Sequence, residues 1–181
     1  MKLHLGCGKR YLKGYIHVDI ADFDHIDYKI PVDDLSIFKS EEVDEIYASH
    51  VLEYFDRSYV TTVLKEWKRV LKPGGILRLA VPNFLKLVEV YQSSKDLSSI
   101  IGPLYGKWDI GNQEFIYHKT VYDEDSLNIL LKEVGFKNIK IWDWKDFFKD
   151  YKDFDDHSQA YYPHMQKDSG IHISLNLQCE K

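Results

Sequence analysis

The chain has 181 residues, 44% hydrophobic and 29% charged, with a formal net charge of −5. That size and balance read as one domain spanning residues 1–181 and exclude a broad basic footprint for nucleic acid, so none is expected as a partner. No apolar run approaches the ~18–20 residues of a membrane-spanning helix and no basic-then-apolar leader is visible, so neither a membrane span nor secretion is expected.

Residues 3–7 and 15–20 read as buried strands flanking the loop Leu5-Gly6-Cys7-Gly8. Only a few residues separate Gly8 from Tyr15, too few for a crossover helix. Residues 25–30 alternate and read as a third strand, and residues 44–49 as a fourth. Between them runs an acidic connection with Asp33-Asp34-Leu35. Val60, Val63, Leu64, Trp67, Val70 and Leu71 follow helical spacing, which predicts a helix over 56–71, capped by Asp56 or Ser58 and stopped by Pro73-Gly74-Gly75. A fifth strand follows at 76–81, then a helix over 84–93. Residues 94–120 lack periodicity. A third helix is expected over 124–134, capped by Asp123 and ended by Gly135. Residues 137–142 form a sixth strand, 143–168 an aromatic, Asp-rich loop, and 171–179 a final alternating strand.

Strands separated by helices imply an open, largely parallel α/β sheet. Ligands in such sheets bind beyond the carboxyl ends of the strands. Gly6–Gly8, Asp19, Asp34, Ser49-His50 and Pro82-Asn83 all fall at expected carboxyl ends. A Walker phosphate loop fails because Gly8-Lys9 is followed by Arg10. A dinucleotide loop fails because Tyr11 holds the third glycine position and no helix follows to receive a pyrophosphate. S-adenosylmethionine carries no phosphate. It needs close backbone approach, which Gly6, Cys7 and Gly8 allow, and an acid for its ribose, which Asp19 supplies. Asp34 can accept from the adenine amino group while Leu35 packs near the ring.

LHLGCG, VDI, DDLS, EIYASHVLEYF, LKEWKRVLKPGGILRLAVPN and LLKEVGF, in that order, resemble class I S-adenosylmethionine-dependent methyltransferases. They are most similar to the small methyltransferase type 11-like group, often found with polysaccharide genes, and SQAYYPHM extends the likeness toward the end. The resemblance implies a Rossmann-like seven-stranded sheet of order 3-2-1-4-5-7-6 with strand 7 antiparallel. Here it is reduced, because the first crossover helices are missing. It also implies S-adenosyl-L-methionine as cofactor and O-methylation of a sugar or glycan acceptor. Another small molecule, a protein side chain, or a non-catalytic cofactor-binding subunit are the alternatives. The chain departs from the group in lacking a further glycine after GCG and in carrying Tyr54 where many relatives have histidine.

The cofactor residues expected are Gly6, Cys7, Gly8, Asp19, Asp34, Leu35, Ser49 and His50; His50 and His118 are the candidate catalytic groups. Glu53 reads as solvated or capping, His164 as a surface-loop residue, and no Cys/His spacing marks a structural metal. Tyr105, Trp108, Phe115, Tyr117, Trp142 and Trp144 can build an acceptor cleft. His4, Arg78, His172, Ser174, Asn176 and Gln178 alternate with apolar neighbours, as half-solvated strands do. One sheet face is therefore expected to be bare on the 3-2-1 side, open to a homodimer, unless 94–120 or 143–168 satisfies these groups. Both cysteines, Cys7 and Cys179, read as reduced and the protein as cytoplasmic.

Overall fold

Four parallel strands begin the chain: β1 (Lys2–Leu5), β2 (Ile16–Asp19), β3 (Tyr28–Lys29) and β4 (Val43–Ser49). The computed structural model describes residues 1–111, 113–151 and 153–181. Helix α1 (Val60–Val70) leads directly into β5 (Leu71–Pro82), followed by α2 (Phe84–Ser94) and α3 (Ser98–Tyr105). A hairpin of β6 (Trp108–Gly111) and β7 (Glu114–Ile116) comes next, then α4 (Glu124–Val134), β8 (Lys137–Ile141) and the single turn α5 (Trp144–Phe147). The chain closes with β9 (Tyr161–Tyr162), β10 (Ile171–His172) and β11 (Ser174–Glu180).

The main sheet runs β3-β2-β1-β4-β5-β11-β8, with β11 antiparallel to both neighbours. Counted by chain order within that sheet, this is the expected 3-2-1-4-5-7-6. No helix lies between β1 and β2 or between β2 and β3.

Strand alternation gives the sheet two unlike faces. Leu3, Leu5, Val18, Ile46, Leu77, Leu79, Leu175 and Leu177 point to one side, where the apolar stripes of α1 and α4 cover them. Trp67 of α1 is fully buried there, and its indole N–H donates to the Val32 carbonyl at 2.7 Å. Helix α4 starts on a capping box between Asp123 and Ser126 and ends at Gly135, whose φ of +89° a side chain would resist.

The opposite face carries His4, His17, Tyr47 and Arg78, and it is not bare. Trp142, Trp144, Phe147, Phe148, Tyr151 and Phe154 fold over it and pack with Leu12, Tyr15, Tyr47 and Ala80. The uncovered face is thus corrected in favour of the alternative, cover by the 143–168 segment: the aromatic stretch after β8 takes the place of the missing helices, and the bare face through which a homodimer was expected is not there. Its rings bury apolar area while leaving polar atoms in reach of partners. The Tyr47 hydroxyl donates to Asp156 Oδ2 at 2.6 Å, and Asn176 Nδ2 donates to the Ser158 carbonyl at 3.0 Å. The Arg78 guanidinium donates to Gln178 at 3.0 Å and lies 4.3 Å over the Phe147 ring. Leu12 N–H donates to His17 Nε2 at 2.9 Å, which fixes the proton of that ring on Nδ1, facing Asp27.

Several boundaries differ from expectation. Only two residues of the 25–30 stretch pair in the sheet. The final strand breaks at Ile173, whose N–H turns to the Ala160 carbonyl, and β10 leaves to pair with β9. The unperiodic stretch 94–120 holds α3 and the hairpin. Asp56 turns its carboxylate to Ser58 four residues before α1 begins.

Tyr47→Phe leaves the Oδ2 atom of the buried Asp156 carboxylate without the Tyr47 donor. Urea unfolding should show a loss of about 1–3 kcal/mol, the usual cost of orphaning a buried polar group. An unchanged midpoint would show that the aromatic cover holds without this anchor.

Candidate functional site

The carboxyl ends of β1 to β4 open onto one cavity of about 730 Å³. Its floor is the glycine loop. Gly6 and Gly8 have φ of +61° and +52°, a region that L side chains rarely adopt. A Cβ at Gly6 would collide with Val51, and one at Gly8 would lie 2.9 Å from the Trp108 ring. Cys7 is buried between them, and burial pushes its thiol up, so it packs rather than attacks.

Asp19, at the end of β2, organises this floor. Its Oδ2 accepts the Gly8 N–H at 2.7 Å and its Oδ1 accepts the Ala21 N–H at 2.8 Å. Each carboxylate oxygen has a second lone pair left for a ligand hydroxyl. Gly6, Cys7, Gly8, Asp19, Ser49 and His50 all line the cavity.

Asp34 and Leu35 do not. Leu35 is fully buried in the main core, its N–H held by Glu66 at 3.1 Å. Placing Leu35 inward turns Asp34 out to solvent, where it accepts from Ser36 N–H. Of these two neighbouring acids it is Asp33 that lines the cavity, where it accepts the Tyr59 hydroxyl at 3.1 Å.

His50 follows β4 with φ of +54°, and its N–H is tied to the Ala80 carbonyl at 2.8 Å. Asn176 Nδ2 donates to a carbonyl, so its Oδ1 faces Ser174 and accepts that hydroxyl at 2.8 Å. Ser174 Oγ is then left to accept from His50 Nε2 at 3.2 Å, and His50 Nδ1 faces Glu53 Oε1 at 3.4 Å. Burial holds the His50 imidazole neutral, its pKa well below the ordinary value.

Glu53 is neither solvated nor a cap. It is 1% exposed, and neither carboxylate oxygen has a hydrogen-bond partner among the described residues. Burial pushes its pKa up to about 8, so it keeps its proton at neutral pH. Backbone N–H groups of Lys119 and Thr120 close over it by bonding its carbonyl.

His118 is not on the cavity. Its Nδ1 donates to the Pro103 carbonyl at 3.0 Å and its ring meets Tyr54 edge-on at 4.7 Å. It pins α3 to the strand end rather than reaching an acceptor. His164 is exposed, as a surface-loop residue. Of the six aromatics expected in the cleft, Trp108 lines the cavity, while Trp142 is sunk in the cover of the sheet, its N–H on the Leu79 carbonyl.

His157 is a cavity group that sequence patterns do not mark as such. The His157 ring lies 5.2 Å from that of His50 and lines the same space. It is held there by Asp156, which caps a short turn over His157–Gln159 and accepts from Ser158 N–H, the Ser158 hydroxyl and Tyr47. The Asp-x-Ser pattern signals a turn, but not that the turn docks at this rim.

Residues 3–79 match the family model of a methyltransferase domain. No curated protein sequence matches the chain. A S-adenosylmethionine-dependent methyltransferase from Thermotoga maritima, described as a possible histamine N-methyltransferase, aligns over 99% of this chain and 81% of its own, with a TM-score of 0.59 and 16% identity. One from Methanosarcina mazei aligns over 99% and 91%, with a TM-score of 0.59 and 18% identity. The 1,6-didemethyltoxoflavin-N1-methyltransferase of Burkholderia thailandensis, solved with 1,6-didemethyltoxoflavin and S-adenosylhomocysteine, aligns over 99% and 70%, with a TM-score of 0.55 and 13% identity. At such identities the likeness is one of fold.

Between pH 4.5, the ordinary value for glutamate, and about 8, unfolded Glu53 is ionised while folded Glu53 keeps its proton. The folded state binds more protons there, so this group lowers stability as pH rises through that window. Glu53→Gln should flatten the decline, seen by comparing urea midpoints at pH 5 and pH 8. A variant that declines as steeply as the parent would refute the buried, protonated carboxyl.

Proposed function

We propose that this protein is an S-adenosylmethionine-dependent methyltransferase that transfers the methyl group to a hydroxyl of a small sugar or glycan acceptor. The observation that carries this reading is one continuous cavity with a glycine loop and Asp19 on one side and two imidazoles, His50 and His157, on the other. Its volume of about 730 Å³ lies within the range of sites that enclose small ligands, roughly 300–1,000 Å³.

The residues present fit the cofactor. Gly6 and Gly8 leave space that any Cβ would fill, and Asp19 has lone pairs free for ribose hydroxyls. Asp33, on the cavity wall, could accept from an exocyclic amine, the role expected of Asp34. When bound, S-adenosylmethionine supplies an electrophilic methyl group on a sulfonium, so much of the catalytic task left to the protein is positioning and proton removal.

Both ring nitrogens of His50 meet protein groups, so it stands as a fixed neutral wall. The His157 nitrogens have no protein partner among the described residues, and the side chain reaches solvent. His157 is therefore the group free to take the acceptor's proton on a ring nitrogen and return it to water. Tyr54, Phe55 and Trp108 give the cavity aromatic surfaces that suit the C–H faces of a sugar ring.

Titration calorimetry should show S-adenosylhomocysteine binding one to one and no heat with NAD. A flat trace with the former removes the central reading. Transfer of labelled methyl to a panel of monosaccharides and nucleotide sugars tests the acceptor class. Tight cofactor binding with no labelled sugar would move the acceptor to another class. On an acceptor that turns over, His157→Gln should lower turnover about 10²–10⁴-fold without changing S-adenosylhomocysteine affinity.

A further inference from the structure

Beneath the cavity wall, Glu53 stands between two imidazoles. Its Oε1 is 3.4 Å from His50 Nδ1 and 3.8 Å from His118 Nε2. Among the described residues no lysine or arginine comes as close. As an acceptor this carboxyl is stranded, since no donor reaches either oxygen among the described residues. Buried polar groups in native folds are nearly always paired, so the exception calls for a reason.

The hydrogen bonds around Glu53 fix where the protons lie. On the His50 side, the Ser158 carbonyl accepts from Asn176 Nδ2, Asn176 Oδ1 accepts from the Ser174 hydroxyl, and Ser174 Oγ accepts from His50 Nε2. Every donor in this chain points away from Glu53. A neutral His50 therefore carries its proton on Nε2 and turns the Nδ1 lone pair toward Glu53. On the other side, the Pro103 carbonyl can only accept, so His118 keeps its proton on Nδ1 and turns its Nε2 lone pair toward the same oxygen. A carboxylate oxygen between two lone pairs would be repelled by both. A carboxylic acid there is a donor facing two acceptors, of which His50 is the nearer. The competing arrangement is an ion pair of carboxylate and imidazolium. It would take two charges out of water and still leave Glu53 Oε2 without a donor. Burial of both groups disfavours those charges, raising the pKa of Glu53 and lowering that of His50.

We propose that Glu53 is a positioning residue: as a neutral acid it gives a hydrogen bond to His50 Nδ1 and holds that imidazole uncharged and fixed in the cavity wall. Its consequence for the reaction rests on the methyltransferase reading. The His50 ring lies 5.2 Å from that of His157. With both His50 nitrogens engaged, the acceptor's proton is directed to His157. With the His50 ring neutral, no positive charge beside His157 opposes that uptake.

Nitrogen-15 NMR of the whole chain, labelled in histidine, tests this without cofactor or acceptor. Near neutral pH, His50 of the parent should show one neutral tautomer, protonated on Nε2, with its Nδ1 resonance displaced from that of a free ring nitrogen by the hydrogen bond. Glu53→Gln, whose amide N–H can donate from the same place, should keep that pattern. Glu53→Leu, of similar size but with no donor, should move the Nδ1 resonance to that of a free acceptor or shift the proton onto Nδ1. This split between the two variants supports the proposal. A parent His50 that is imidazolium or protonated on Nδ1, unchanged His50 resonances in Glu53→Leu, or a Glu53→Gln spectrum displaced as far as that of Glu53→Leu overturns it. If Glu53→Leu does not fold, the parent tautomer and the Glu53→Gln spectrum carry the decision. Failure to bind S-adenosylhomocysteine would sink the methyltransferase reading and leave these spectra, recorded without it, to judge Glu53 on their own.

Discussion

The hydrogen bond from Tyr47 to Asp156 joins two tasks that this short chain must solve together. With no helix between its first three strands, one sheet face needs another cover, and that cover has to come from the far end of the sequence. A purely apolar sheet face would hold such a segment loosely and in many registers. Tyr47, at the centre of the sheet, singles out one arrangement because its hydroxyl must find a partner once buried. Asp156 supplies it, Ser158 and Asn176 extend the network, and the aromatic rings before it fill the space above Ala80 and Leu12. The polar residues that alternate along these strands are therefore anchors.

The same anchor completes the site. Asp156 is both the partner of Tyr47 and the cap of the turn that presents His157 beside His50. Folding of the cover and assembly of the cavity wall are one event. From the other side, Asp19 ties the glycine loop to the end of β2, and Ser174 with Asn176 orients His50. Asp19 and His50 thus have their side-chain directions set by hydrogen bonds to protein groups. Such pre-organisation is what positioning chemistry requires.

Much of this was legible in the amino-acid pattern. The α1 and α4 stripes, the glycine loop and the placing of Asp19 and His50 at strand ends follow from local periodicity and from residue types with narrow conformational uses, and the strand order follows from the family resemblance. What escaped was decided at long range. Asp33 rather than Asp34 faces the cavity because Leu35 is claimed by the core, a choice of phase within a loop that has no period of its own. Glu53 looks like an exposed acid near a helix start, yet the chain at Lys119 and Thr120 folds over it. His118 sits at the rim in sequence order but is captured by the Pro103 carbonyl. His157 lies in an irregular aromatic stretch whose docking depends on Tyr47, more than a hundred residues away.

The contact between Gly8 and Trp108 carries a consequence for how this pocket can vary. The indole occupies the volume where a side chain at position 8 would begin. The two positions therefore form a single steric unit, shared between the first loop and a hairpin inserted late in the chain. A side chain at position 8 would need both a smaller residue at 108 and a strained backbone, whereas position 108 can change alone. Remodelling of the cavity for bulkier ligands has its natural starting point in the roof, at 108, and not in the floor.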